Sequence, residues 1–195
     1  MGRDKALLMM DGQSLAERGA RLLAQVAEPV VEVGPGHSPL PAVREDPPGT
    51  GPLAALCAGA TELRRLGHDG PVLVLAVDMP RVSVGLLRLL AGRPGPDTAV
   101  PRDRDGRAQP LCARYGADAL TVASGLVAAG ERSLRSLLAA LADLADRDAV
   151  DAVLAVDAVG VLDWVDPPEW EPVAGPDAFC DLDTPGDVER LRSGP

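Results

Sequence analysis

Strands alternating with helices, one long apolar run and a core almost without rings predict an α/β fold, a doubly wound sheet covered by helices on both faces. The run is "PVLVLAVDMP", and its lack of polar alternation marks a strand buried on both sides. Hydrophobic residues make up 46% of the 195-residue chain but aromatic ones only 2%, so Leu, Val and Ala must fill the interior. That length suits a single domain with a sizeable core, and residues 1–195 are read as one.

Taken in order, Ser14 and Glu17 have the spacing of a capping box, and Leu15, Leu22, Leu23 and Val26 recur at helical intervals. They predict a helix over 14–28 that stops before Pro29. "PVVEVG" follows as a β-branched strand, and the Gly and Pro cluster from Gly34 to Pro52 reads as loop. "LAALCAGATELRRLG" is a second helix, closed by basic residues and a glycine. Beyond the apolar run, Leu86 to Leu90 suggests a short helix, "DTAVP" and "QPLCARY" two strands, and 117–128 and 133–145 two more helices. "AVLAVD" and "AFCDLD" are late strand candidates, Thr184, Pro185 and Asp187 begin a last helix, and Asp166 to Pro176 reads as a long Pro-rich loop.

Charge and composition narrow the function. A net charge of −10 argues against a nucleic-acid or anionic-membrane surface, both of which need a basic field. Two Trp, one Tyr and one Phe leave little with which to stack bases. Cys57, Cys112 and Cys180 are odd in number, widely spaced and without clustered histidines, which suggests neither a disulfide framework nor a zinc site. A soluble protein of the reducing cytoplasm is expected, since no secretory leader pattern or membrane-length apolar run is present.

Asp78 stands where the buried strand ends, and in open α/β sheets ligands bind beyond the carboxyl ends of strands. A carboxylate there can hold Mg²⁺, which takes one or two carboxylates beside phosphate oxygens and water; a turn or cap aspartate is the equal alternative. Asp183 ends "FCDLD" in the same manner, with Asp181 two residues before it on one strand face, although "DTPGD" is first a helix-start signal. Lys5 is the sole lysine, every other basic residue counted with it being arginine. A compact ammonium fits between phosphate oxygens where a planar guanidinium does not, against the alternative of one surviving surface lysine. "EDPPGTGPLAAL" is a Gly-rich loop entering a helix whose N-terminus favours anions. Arg102, Arg104, Arg107, Arg114, Arg132 and Arg135 supply local positive charge, read for most of them as solvated surface. His37 and His68 are isolated and receive no role, and no arrangement suggests a covalent nucleophile.

In sequence order, "MGRDKALL", "EDPPGTGPLAAL", "VLAVDMP", "RAQPLCARY", "AGERSLRSLL" and "FCDLDTPGDVERL" resemble the MobA-like nucleotidyltransferases, and within them the molybdenum cofactor guanylyltransferases. The similarity runs along essentially the whole chain. It implies a Rossmann-like, three-layer α/β/α, mostly parallel sheet of the nucleotide-diphospho-sugar transferase type. It also implies transfer of GMP from GTP to the phosphate of molybdopterin, with pyrophosphate leaving and Mg²⁺ required. By position, Lys5 looks like the family's phosphate-contacting catalytic lysine, Asp78 like its magnesium aspartate, and Asp46 and Gly51 like its nucleotide loop. Asp181 and Asp183 fall where the family has residues near pterin and metal, and Arg132 and Arg135 on the side receiving the pterin phosphate.

Family members carry a strand and a Gly-rich loop ahead of the stretch that Met1 and Gly2 continue, so the resemblance implies that this N-terminal strand is missing here. The expectation is that Met1 is the methionine inside that motif, and that a chain extended upstream is the more stable one. A cytidylyltransferase, or another transferase acting on a small phosphate, is the neighbouring alternative. A catalytically inactive nucleotide- or pterin-binding domain is the alternative of another class. Small-molecule substrates, molybdoenzyme or cofactor-biosynthesis protein partners, and a monomer or weak homo-oligomer complete the expectation.

Overall fold

The computed structural model describes residues 4–94, 98–151 and 162–180, without the side chains of 146–151. The chain enters through a 3₁₀ turn, Lys5–Leu7, and a small antiparallel hairpin, β1 (Met9–Met10) and β2 (Gln13–Ser14). Asp11 and Gly12 turn it with φ of 50° and 79°, the paired left-handed geometry of an Asp-Gly hairpin. Ser14 then caps α1 (Leu15–Leu23): its hydroxyl accepts the Glu17 N–H at 3.2 Å while its own N–H donates to the Glu17 carboxylate at 2.8 Å. The capping box is as expected, but the helix ends sooner. Past Leu23 the N–H groups of Gln25 and Val26 reach back three residues rather than four, which tightens the chain ahead of Pro29.

β3 (Glu32–Val33) pairs in parallel with β4 (Ala42–Val43), so the expected loop from Gly34 contains a strand. α2 (Pro52–Arg65) follows, then β5 (Val72–Leu75), α3 (Val84–Gly92), β6 (Ala99–Pro101), β7 (Cys112–Tyr115), α4 (Ala117–Ala128) and α5 (Leu134–Asp151). The expected loop from Asp166 is instead a helix. β8 (Asp163–Val165) leads into α6 (Pro167–Ala174), where Pro167 and Pro168 stand in the first turn, Pro172 lies inside the helix, and Asp166 and Glu169 form a second capping box. The strand candidate "AVLAVD", the helix from Thr184, and Asp181 and Asp183 lie outside the described residues; of "AFCDLD", Ala178 and Phe179 form a turn.

The larger sheet has the order β5-β7-β6-β8. β7 runs antiparallel to β5 and β6, and β8 parallel to β6, so the described sheet is mixed. The reason is local: β6 returns directly to β7 through a short loop around Gly106, a connection that leaves neighbouring strands antiparallel. Alternate side chains face opposite ways. Val72, Val100, Ala113 and Tyr115 pack with α2, α4 and α5, while Ala99, Cys112 and Val165 pack with α1, α3 and α6, giving the α/β/α layering. Arg114, read in sequence with the surface arginines, is buried against α3 and donates to the carbonyls of Ala91 and Arg93.

Among the described residues β3 and β5 do not pair with each other. Between them lies an apolar cavity of about 530 Å³, lined by Val31, Val33, Leu73 and Leu75, with Asp4, Ala6, Pro52 and Leu134 also on its wall.

Candidate active site

β5 is anchored by its ladder to β7, and beyond it the Ala76 N–H donates to the Leu111 carbonyl at 2.7 Å. The chain then turns. Asp78 is held between this anchor and Met79, which is buried at 6% exposure, and the Arg18 guanidinium of α1 grips the Pro80 carbonyl at 2.9 Å. Opposite, the 3₁₀ turn presents Lys5, whose Nζ lies 3.1 Å from Asp78 Oδ2. Both side chains are about 30% exposed, at 30% and 29%, so the pair is reachable from solvent yet partly shielded. Two residues singled out separately in the sequence are thus one unit.

The turn itself is capped by Asp4, which accepts the Ala6 N–H at 3.0 Å through Oδ1. Its Oδ2 lies 2.8 Å from His37 Nε2. Together these bonds, the Ala6 N–H first, hold the Asp4 carboxyl below its ordinary value of 3.8. His37 had no role in the sequence reading. Its local context carries no signal, because the partner that gives it one is 33 residues away.

The second group of predicted residues gathers at the start of α2. Gly51 has φ 112° and ψ 173°, and α2 begins without a side-chain cap. A Cβ on Gly51 would lie 3.0 Å from the Arg132 carbonyl oxygen, which also accepts the Leu53 N–H at 3.2 Å. The structure therefore brings the "AGER" segment against the loop that the resemblance assigns to the nucleotide. Arg132, Arg135 and Asp46 are exposed. Glu45 accepts the Gly49 N–H at 2.9 Å and Thr50 donates to the Pro47 carbonyl, which organises the loop around Asp46. Pro52, Leu134, Ala6 and Val77 all line the same cavity, so this loop and the Lys5–Asp78 pair border one space.

Among the described residues no cluster of three or more His, Cys, Asp or Glu side chains could hold a metal ion. At the end of β5 Asp78 offers a hard oxygen donor, and one carboxylate completed by phosphate oxygens and water is a donor set compatible with Mg²⁺. No described helix is long and apolar enough to cross a membrane.

Comparison with known proteins agrees with this layout. The model of the MobA-like NTP transferase domain matches residues 1–145. A protein of Mycobacterium tuberculosis named probable molybdenum cofactor guanylyltransferase is 40% identical over 144 residues, covering 69% of this chain and 70% of its own length. The Mycobacterium marinum protein of the same name is 36% identical over 144 residues, with the same coverage of 69% and 70%. In fold, the chain matches molybdopterin-guanine dinucleotide biosynthesis protein A of Archaeoglobus fulgidus with a TM-score of 0.69 at 20% identity, over 98% of this chain and 90% of that one. It also matches the 2-C-methyl-D-erythritol 4-phosphate cytidylyltransferase of Thermus thermophilus with a TM-score of 0.60 at 20% identity, over 97% and 92%. Sequence and architecture thus converge, and the chain belongs to the MobA-like NTP transferase family and is a nucleotidyltransferase.

Proposed function

We propose that this enzyme transfers GMP from GTP to the terminal phosphate of molybdopterin, in the cytoplasm. The observation that carries the reading is the Lys5–Asp78 pair at the carboxyl end of β5, 3.1 Å apart beside the α2 loop. Its support is the name shared by relatives 36–40% identical to this chain.

In this reading an oxygen of the molybdopterin phosphate attacks the α-phosphorus of GTP; the bond from that phosphorus to the β-phosphate bridging oxygen breaks, and pyrophosphate departs. The acceptor is already an anion and needs no strong base. This fits a site of carboxylates and one lysine in which no covalent nucleophile is placed. Asp78 would hold Mg²⁺, with Asp183 as a second ligand from beyond the described residues. When bound, the ion neutralises charge on the phosphates. Lys5 donates from its ammonium to phosphate oxygens as negative charge grows on the leaving group. Asp46 and Gly51 contact the nucleotide, Arg132 and Arg135 receive the pterin phosphate, and Asp181 lies near the pterin and the metal.

The test is pyrophosphate release from GTP with molybdopterin and Mg²⁺, by the 195-residue chain and by a version extended upstream. Asp78→Asn and Lys5→Ala are each expected to lower kcat by about 10²–10³-fold, the usual effect of removing one group that stabilises transition-state charge. Release from CTP but not GTP would replace the guanylyl reading with the cytidylyl one. Ligand binding without release by either version would leave a binding domain.

A further inference from the structure

We propose that His37 is a positioning residue that aims Lys5 at the site, acting through Asp4; this rests on the role given to Lys5 above.

Both oxygens of the Glu32 carboxylate are occupied by the backbone of the next loop: Oε1 accepts the N–H groups of Gly36 and His37, each at 2.8 Å, and Oε2 accepts that of Ser38 at 2.7 Å. One carboxylate thus folds the loop around itself. The imidazole of His37 is directed across to the start of the chain, where Nε2 donates to Asp4 Oδ2 at 2.8 Å. An ionised carboxylate only accepts, so that nitrogen carries the proton.

Asp4 is then fixed at both oxygens, one by His37 and one by the Ala6 N–H. Lys5 lies between Asp4 and Ala6 in the chain. The Leu7 N–H closes the turn onto the Asp4 carbonyl at 3.2 Å, and the Ala6 side chain is buried beneath it. With both flanks held, the direction in which the Lys5 side chain leaves the backbone is set. Removing the imidazole leaves Asp4 with a single fixed partner. Asp4 is about half exposed, at 49%, so its contact with His37 adds little to stability. A displacement of about 1 Å in a catalytic group can nevertheless cost on the order of 10²-fold in rate. This imbalance separates positioning from a merely structural role.

The experiment is a double-mutant cycle on the full chain, read as kcat and KM for pyrophosphate release together with the melting temperature. His37→Ala is expected to lower kcat about tenfold with an almost unchanged melting temperature. His37→Gln, whose amide can donate to Asp4, is expected to restore most of it. In a Lys5→Ala background the same His37→Ala change is expected to cost nothing further, because the group it positions is gone. An equal loss in both backgrounds, or wild-type kcat in His37→Ala, would overturn the proposal.

Absence of turnover in the unmutated protein would fail the functional reading instead. The positioning is then read in the ¹³C-lysine NMR spectrum, which contains one ε-carbon signal because Lys5 is the only lysine. His37→Ala is expected to move that signal and His37→Gln to return it; a signal unmoved by His37→Ala would overturn the proposal.

Discussion

Gly51 adopts φ 112° and ψ 173°, a region reserved for glycine, and does so where the Arg132 backbone comes within van der Waals reach. Gly51→Ala therefore meets two obstacles, the backbone conformation and a Cβ 3.2 Å from that of Arg132. The conformational term alone is about 1–3 kcal/mol, and each kcal/mol lowers the melting temperature of a protein this size by about 2–4 °C. We expect that drop together with a raised KM for the nucleotide, measured by thermal unfolding and steady-state kinetics; a variant unchanged in both would show that the loop moves away freely. Lys5 and Asp78 were legible as candidates, one from its rarity and the other from its place at a strand end. Their contact was not, since 73 residues separate them and no local pattern encodes a meeting at that distance. His37 was illegible for the same reason.

The loop between β3 and β4 depends on a single carboxylate, and its acid response follows. Burial raises the Glu32 pKa, but the N–H groups of His37, Ser38 and Gly36 and the Ser38 hydroxyl outweigh it, leaving the group below its ordinary 4.5. A carboxyl depressed in the folded state stabilises the fold fully above its unfolded value and loses that contribution as pH falls through the folded one. Stability is therefore expected to fall below pH 4.5, and Glu32→Gln to flatten that part of the curve, as followed by urea unfolding between pH 3 and 7; parallel curves would exclude Glu32 as the cause. Elements with strong periodicity were legible in the sequence: α4 has the expected bounds, 117–128. α6 was not. Its prolines suggest a loop by composition, yet Pro167 and Pro168 occupy first-turn positions where the missing N–H costs nothing, Pro172 alone lies inside the helix, and only the Asp166–Glu169 spacing signals a helix. β1 and β2 are too short for a pattern, although the Asp-Gly pair between them was a usable turn signal.

The α/β/α layering was legible from the unbroken apolar run, whereas the mixed strand directions depend on which loops lack a helix, a property of connections rather than of strands. The cavity between β3 and β5 is wide enough to accept a further strand. Among the described residues each bordering strand pairs on one side only, most of the cavity wall is apolar, and Asp4 and Ala6 form part of it. Burying one large apolar side chain contributes about 1.5–3 kcal/mol against about 1–2 kcal/mol of backbone entropy per residue. A chain extended by such a strand is expected to melt several degrees higher than the 195-residue chain, and equal melting temperatures would show that the extension does not enter.

The family match ends at residue 145, but the packing does not. Val165, Trp170 and Ala178 are buried in the same core as Leu86, Leu87 and Leu90; the Trp170 indole donates to the Arg102 carbonyl at 2.9 Å, and Arg93 joins Asp163 to Glu169. The end of that match therefore falls inside one packed core. A fragment trimmed to it would carry the recognised motifs up to that point and lose one wall of the α1, α3 and α6 core.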